Sequence, residues 1–562
     1  MISADRLQRW LPFLAWPRPD RATLVGELWA GLTVGMMVVP QGVAYAALAG
    51  MPLVTGIYAS LLPALVAVLW SSSTRLSVGP TALSALLVGS ALLGMAEPGS
   101  AEWVTLAVWL ALLSGLLQIV LGLGRFGWLL NLVSAPVLTG FTQAAAILIL
   151  LSQLPALIGL KGPLTTLLQQ PQIDLQATAY GLGALLVLVL GKRWFPRFPV
   201  LMALVVASAV LSSWLGFAQR GGAVVGALPA GLPALHLPTA LSLAQLSELA
   251  LPTLVLTLIS FLETASSAKV DNQRGGTRWN ENQDLIGQGL AKISSGLCGA
   301  FPTSSSFSRS AINLYAGAKT GWATIFSVLL VLLVLLWLTP ALYHVPQAVL
   351  AAVVVAAVSS LVQPAELRRI WRAAPVEALT CATTFVLTLA TAPRLYWGVL
   401  AGLLMGLSHF LYHRLHPRII EIGLHPDGSL RDRHLWSLPL LAPDLYALRM
   451  DAELDFASAS SLERAVMEHL ATHPEVHQVC LFAQPINRID ATGVETFGKL
   501  RQALQQRGTT LHLSGMKLPV ESVLRRAGEL PSGPEAKGLL RLHRSDHEAL
   551  LALQHAPEDF AI

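Results

Sequence analysis

The sequence predicts a polytopic α-helical membrane protein of fourteen membrane-spanning segments, arranged as two inverted halves of seven and followed by a small α/β domain. Three observations carry this reading. Of 562 residues, 54% are hydrophobic and 12% charged, and the mean hydropathy is +0.60, too apolar for a soluble enzyme. Lysine and arginine fall in alternate connections between the apolar stretches. Two of those stretches are short and occupy matching positions of the two halves.

From Glu27 onward the apolar segments fall at 27–49, 52–70, 80–93, 103–123, 128–150, 176–191, 198–215, 249–268, 284–300, 303–316, 321–338, 345–362, 374–391 and 393–412. With residues 1–26 as a cytoplasmic N-terminal segment, the inward connections hold Arg75, then Arg125, then Lys192, Arg193 and Arg197. Lys269, Arg274 and Arg278 follow, then Lys319, then Arg368, Arg369 and Arg372. The outward connections hold Lys161, Arg220 and Arg394. This satisfies the positive-inside rule and returns the C-terminus to the cytoplasm, so an even number of segments is expected in a multi-pass protein of the cytoplasmic membrane.

Arg6, Arg9, Arg18 and Arg21 precede the first segment without a short apolar core that ends in a small-residue cleavage site, and no signal peptide is expected. The basic residues are scattered among loops and do not form a nucleic-acid-binding face. Cys298, Cys381 and Cys480 are widely spaced, which implies neither a disulfide framework nor a metal site. No cofactor is implied, and no enzymatic chemistry.

The short segments, 80–93 and 303–316, fall below the roughly 20 residues of a full span and read as half-helices. Similar phrases open them: Ser77-Val78-Gly79-Pro80-Thr81-Ala82 and Gly299-Ala300-Phe301-Pro302-Thr303-Ser304. Paired interrupted segments of this kind mark a transporter's binding site. The second continues through Ser305-Ser306-Phe307-Ser308-Arg309, which puts hydroxyls and a guanidinium at bilayer depth. Proline followed by hydroxyl residues reads as a helix start at Pro302, whose positive dipole end suits an anion. Arg309 adds a fork of donors for an oxyanion, and Thr81, Ser304, Ser306 and Ser308 add hydroxyls.

Glu263 reads as the one carboxylate well inside a segment, either a fixed counter-ion to Arg309 or a proton carrier. Lys292 shares a helical face with Asp284, Gln288 and Ser295, which reads as a cytoplasm-facing seam between helices rather than a second anion site.

After Phe410 the chain turns polar, and 413–440, with Pro426-Asp427-Gly428, reads as a linker. In 441–562, short apolar runs at 445–450, 479–483 and 510–514 read as strands, with helices at 458–472 and 491–507 between them, followed by a C-terminal tail. Asp490 precedes the second helix as an N-cap. Thr492 is a candidate regulatory phosphorylation site, since a phosphate there meets a helix N-terminus.

Several motifs resemble those of the SulP sulfate-permease family of anion transporters. They are Val39-Pro40-Gln41-Gly42-Val43-Ala44-Tyr45-Ala46, Gly56-Ile57-Tyr58-Ala59-Ser60, Ser77-Val78-Gly79-Pro80, Asn282-Gln283-Asp284-Leu285-Ile286-Gly287-Gln288-Gly289 and Phe301 to Ser310. Residues 441–562 resemble a STAS domain, and 27–412 the family's transport domain. The resemblance implies a core domain and a gate domain, an elevator-like movement, and an anion held between the facing N-termini of helices three and ten. Gln41, Tyr45, Thr81, Ser308 and Arg309 fall on the family's substrate positions. An acidic residue in helix eight, Glu263 here, accompanies cation-coupled uptake in bacterial relatives. The resemblance further implies a homodimer in the bilayer, and a cytoplasmic partner is possible for the STAS domain. Sulfate with a proton is the first expectation; bicarbonate with sodium, a C4-dicarboxylate, or a membrane-anchored STAS scaffold are the alternatives.

Overall fold

The computed structural model describes residues 11–16, 18–160, 173–194, 199–275, 279–530 and 539–553. Arg6, Arg9, Lys161, Arg197, Arg278 and the tail beyond Leu553 lie outside the described residues, as do the side chains of Lys192 and Arg274. The chain forms two compact units, Met1–Gly406 and Leu407–Ile562.

Each predicted segment coincides with a helix. In the first half these are α1 (Arg21–Leu48), α2 (Thr55–Trp70), α3 (Ala82–Leu92), α4 (Ala101–Leu123), α5 (Ala135–Leu157), α6 (Leu175–Trp194) and α7 (Val200–Trp214). The second half has α8 (Leu243–Gly275), α9 (Glu281–Leu297), α10 (Phe307–Tyr315), α11 (Trp322–Leu342), α12 (Gln347–Val358), α13 (Pro375–Ala390) and α14 (Tyr396–Leu415). Among the described residues α1, α4, α5, α8, α11 and the run Gln347–Ala373, which begins with α12, are long and apolar enough to span a membrane. α3 and α10 are the half-helices that the sequence predicts.

Packing separates two groups. α1–α4 pack mainly with α8–α11, and α5–α7 with α12 and α13, on which α14 lies through Gly398 and Gly402; α1 and α12 meet between the groups. Within the second group α5 packs on α13 as α12 packs on α6, the pairing expected of inverted copies. In the first group the helices approach to backbone contact. A Cβ on Gly56 would lie 1.9 Å from the carbonyl oxygen of Gly42, and one on Gly289 2.6 Å from that of Gly115. Only glycine permits these crossings of α2 on α1 and α9 on α4.

The polar stripe on α9 forms a seam between helices, and each member joins a different neighbour. Asp284, fully buried, accepts from the backbone N–H of Ser72 (2.7 Å) and Ser73 (3.0 Å) after α2 and from the Trp279 indole (2.7 Å). Gln288 donates to the Ser305 hydroxyl (3.1 Å), Lys292 to the Ser260 hydroxyl on α8, and the Ser295 hydroxyl to the Phe301 carbonyl (2.6 Å).

The second unit holds a six-stranded sheet of order β4-β3-β5-β6-β7-β8, made of β3 (Ile419–Leu424), β4 (Leu430–Asp432), β5 (Leu445–Met450), β6 (Gln478–Phe482), β7 (Thr510–Ser514) and β8 (Leu540–His543). β5 to β8 are parallel; β3 is antiparallel to both its neighbours. α15 (Ala459–Thr472), α16 (Ala491–Gln506), α17 (Leu518–Arg526) and α18 (Asp546–Ala552) complete the unit. The predicted strands and helices are β5, β6, β7, α15 and α16. The stretch 413–440, read as a linker, instead contains the β3–β4 hairpin. Ile420 and Ile422 are buried in its core, and Asp427 shapes its turn by accepting from the Ser429 N–H at 2.9 Å. The turn residues hid a short apolar alternation.

His512 of β7 is buried and lies 3.0 Å from His543 of β8, ring nitrogen to ring nitrogen. Burial, then the adjoining His543 ring and Arg541, push His512 down from 6.5 to about 4. Between those values the unfolded chain binds a proton that the folded unit refuses, so this pair lowers stability as pH falls through that window and has no effect above it. His512→Gln should flatten the fall in the second unit's unfolding midpoint between pH 6.5 and pH 4, followed by circular dichroism; an unchanged slope would contradict this. In the first unit, Gly56→Val should lower thermal stability in detergent by at least about 1–3 kcal/mol, the usual cost of overpacking.

Candidate functional site

A two-residue strand precedes each half-helix. β1 (Val78–Gly79) and β2 (Ser304–Ser305) pair antiparallel, Val78 opposite Ser305 and Gly79 opposite Ser304. The Ser306 N–H extends the pairing by donating to the Ser77 carbonyl at 3.0 Å, and the Ser77 N–H donates to the Ser310 hydroxyl at 3.0 Å. Because the strands are antiparallel, α3 and α10 leave the crossing in opposite directions and both N-termini meet at it. Thr81 caps α3, accepting from the Ser84 N–H at 3.3 Å, and Ser306 caps α10, accepting from the Arg309 N–H at 3.5 Å. The helix therefore begins at Phe307, five residues after the expected start at Pro302. Buried backbone at this depth needs partners, and β1 supplies them to Ser304 and Ser305 before the helix can.

Arg309 is buried at the crossing, with 1% of its surface exposed. Its Nε donates to the Ser77 hydroxyl at 3.2 Å and its Nη1 to the Gln41 side-chain oxygen at 3.3 Å. These two acceptors fix the plane of the guanidinium. Nη2 is buried with no hydrogen-bond partner in the protein. A Cβ on Gly79 would lie 3.5 Å from it, so the strand packs directly beside that corner. A fixed guanidinium with a free pair of N–H groups, facing two helix N-termini, can receive an oxyanion. Tyr45, one turn after Gln41 on α1, is buried within electrostatic reach of Arg309 and Glu263.

Glu263 of α8 lies beside this group, half-buried, within electrostatic reach of Lys292 and Arg309. Thr81 donates to its Oε2 at 3.3 Å, and the Ser304 hydroxyl lies nearby, donating to the Ser260 carbonyl at 3.2 Å. Hydroxyls can donate to a carboxylate or accept from a carboxylic acid, and so serve both protonation states.

Other buried acids are held differently. Glu27, fully buried, takes N–H bonds from Lys319 (2.8 Å), Thr320 (2.8 Å) and Ala323 (2.9 Å) at the start of α11. Asp284 is saturated as described, and Asp271 pairs with Arg75 at 2.7 Å. Glu263 is thus not the one intramembrane carboxylate that the sequence suggests. Glu27 sits too near its segment's end to stand out, and its partners lie some 290 residues away.

The structure brings together Gln41, Tyr45, Thr81, Glu263, Ser304 and Arg309. It does not add Ser308, whose exposed hydroxyl lies 3.5 Å from that of Ser306, itself occupied as the cap. Lys292 is fully buried beside Ser260 and Glu263, deeper and nearer the site than a cytoplasm-facing seam implies. Sequence reasoning missed Ser77 as a partner of Arg309, although the motif that contains it was visible. In the second unit Thr492 is exposed, and Asp490 is the N-cap, accepting from Gly493 N–H (2.8 Å) and Phe456 N–H (3.0 Å).

Residues 24–384 match the sulfate permease family and residues 441–541 match the STAS domain. Sulfate transporter 4.1 of Arabidopsis thaliana, a chloroplastic protein, is 31% identical over 92% of this chain and 78% of its own. Probable sulfate transporter 4.2 of the same plant is 32% identical over 89% of this chain and 77% of its own. A probable sulfate transporter of Mycobacterium tuberculosis is 29% identical over 94% and 96%. Among solved structures, the murine Solute Carrier 26 family member A9 anion transporter in the inward-facing state superposes with a TM-score of 0.87 at 20% identity, over 99% of this chain and 95% of that one. The transmembrane domain of a cyanobacterium bicarbonate transporter, BicA, gives 0.59 at 22% identity, over 68% and 98%.

If the site takes an anion at Nη2, Arg309→Lys should weaken sulfate binding in calorimetry by about 10- to 100-fold, the worth of a charge-assisted hydrogen bond. Arg309→Ala should abolish it. Unchanged affinity in both would remove Arg309 from the site.

Proposed function

Because the chain belongs to the sulfate permease family of anion transporters, we propose that it is a secondary transporter that takes up sulfate together with a proton. The single observation that carries this is a buried guanidinium with two N–H groups free of protein partners, next to a carboxyl bonded by the Thr81 hydroxyl. Sulfate docks on Arg309 Nη2 between the N-termini of α3 and α10, with Thr81 and Ser304 within reach and Tyr45 closing one side. The sulfate transporters among the relatives support this substrate.

Glu263 carries the proton. An anion arriving beside Arg309 raises the cost of a second negative charge nearby, and protonation of Glu263 removes that cost. Thr81 and Ser304 then reorient from donors to acceptors. The core group, α1–α4 with α8–α11, moves as one body against α5–α7 and α12–α14, like an elevator. This is the behaviour expected when glycine-mediated backbone contacts bind one group tightly.

The protein works as a homodimer in the cytoplasmic membrane with both termini inside, and the STAS domain receives a cytoplasmic partner. Thr492, exposed at the start of α16, is its site of phosphorylation control. Sodium-coupled bicarbonate or C4-dicarboxylate transport uses the same architecture, and a scaffold role needs none of the polar site.

Proteoliposome uptake of labelled sulfate, bicarbonate and fumarate, under imposed pH or sodium gradients, separates these readings. Sulfate should accumulate when the outside is acidic, and Glu263→Gln should lose accumulation and its pH dependence while keeping sulfate binding. If that variant concentrates sulfate with the wild-type pH profile, proton coupling through Glu263 is wrong. Uptake of no anion would favour the scaffold.

A further inference from the structure

Between α12 and α13 the chain forms a ten-residue helix, Pro364–Ala373, in which no residue is buried. At about 100° per residue, Leu367, Ile370 and Trp371 fall on one arc and Arg368, Arg369 and Arg372 on the arc beside it. Trp371 is 61% exposed and Leu367 38%. Arg369 is held by Glu366, whereas Arg368 and Arg372 are exposed and have no ion-pair partner among the described residues.

A helix of this length is marginal by itself, and in water its apolar arc would stand uncovered. Its position supplies the cover. Ala374 alone separates it from α13, and residues 359–363 separate it from α12, so it is anchored at the level where two segments of the membrane domain end. A bilayer surface offers an apolar layer for Leu367, Ile370 and Trp371 and, one headgroup above, phosphates for the arginines. A protein partner would need to match both arcs while lying flat against the membrane; the lipid does so without further design.

We propose that Pro364–Ala373 is an interfacial helix that binds anionic phospholipid headgroups through Arg368 and Arg372, with Trp371 inserted at the acyl boundary. The charge on these arginines makes the preference electrostatic, so it favours phosphatidylglycerol over a zwitterionic lipid and fades with salt. The inference is independent of which anion is transported.

The test uses the full chain in phosphatidylcholine vesicles that contain either brominated phosphatidylglycerol or brominated phosphatidylcholine. Tryptophan emission is compared with that of Trp371→Phe, so that the difference isolates Trp371. Quenching of that difference should be at least about twofold stronger with the anionic lipid. The preference should vanish in 1 M salt, where the Debye length is about 3 Å. In R368Q/R372Q the preference should also vanish while quenching persists. Absence of Trp371 quenching by either lipid, equal quenching by both in the wild type, or a preference that survives in the arginine variant would each overturn the proposal. All the substituted residues are exposed, and a matching circular dichroism spectrum verifies that each variant is folded.

Discussion

A guanidinium buried where two strands cross sets the terms for the rest of the transmembrane unit. Left unpaired in an apolar interior, such a charge is too costly to keep. Ser77 and Gln41 hold two of its nitrogens, and they do so because β1, β2 and α1 converge on one point. The convergence needs half-helices that stop at the crossing, and it needs α9 behind it, whose polar stripe joins α8, β2 and the end of α2. The backbone contacts at Gly42–Gly56 and Gly115–Gly289 bring these helices close enough for side chains of ordinary length to meet. What the protein leaves unsatisfied is the buried Nη2 end of the guanidinium.

The contrast among buried acids sharpens this picture. Glu27 is enclosed by backbone N–H donors, Asp284 takes two backbone N–H groups together with the Ser72 and Ser73 hydroxyls and the Trp279 indole, and each ties one helix to another. Glu263 takes the Thr81 hydroxyl, with that of Ser304 nearby, and no backbone N–H among the described residues. Arg309 and Glu263 lie within electrostatic reach of each other without a direct hydrogen bond, Nε and Nη1 of Arg309 being held by Ser77 and Gln41.

Much of this was legible in the sequence. Hydropathy and the lysine and arginine pattern located every segment, and the paired Ser77 and Phe301 phrases identified the half-helices before any coordinates. Asp490 was readable as a cap because capping is local. The remainder depended on distant partners. The Ser304–Ser305 strand looked like a helix start, since its mate lies more than 220 residues earlier in the chain. Glu27 reads as the edge of a segment, because the helix it caps begins about 295 residues later. The β3–β4 hairpin was hidden by its own turn, and Ser308 looked equivalent to Ser306 until the cap geometry separated them.

The central claim is that the free end of Arg309 is where the anion sits. The most direct measurement is the structure of the protein with bound selenate, a heavier analogue of sulfate, located by its anomalous signal. The account predicts a selenium peak at the β1–β2 crossing, with an oxygen about 2.7–2.9 Å from Arg309 Nη2, between the N-termini of α3 and α10. A peak elsewhere in the unit, with Arg309 Nη2 still without a partner, would contradict it.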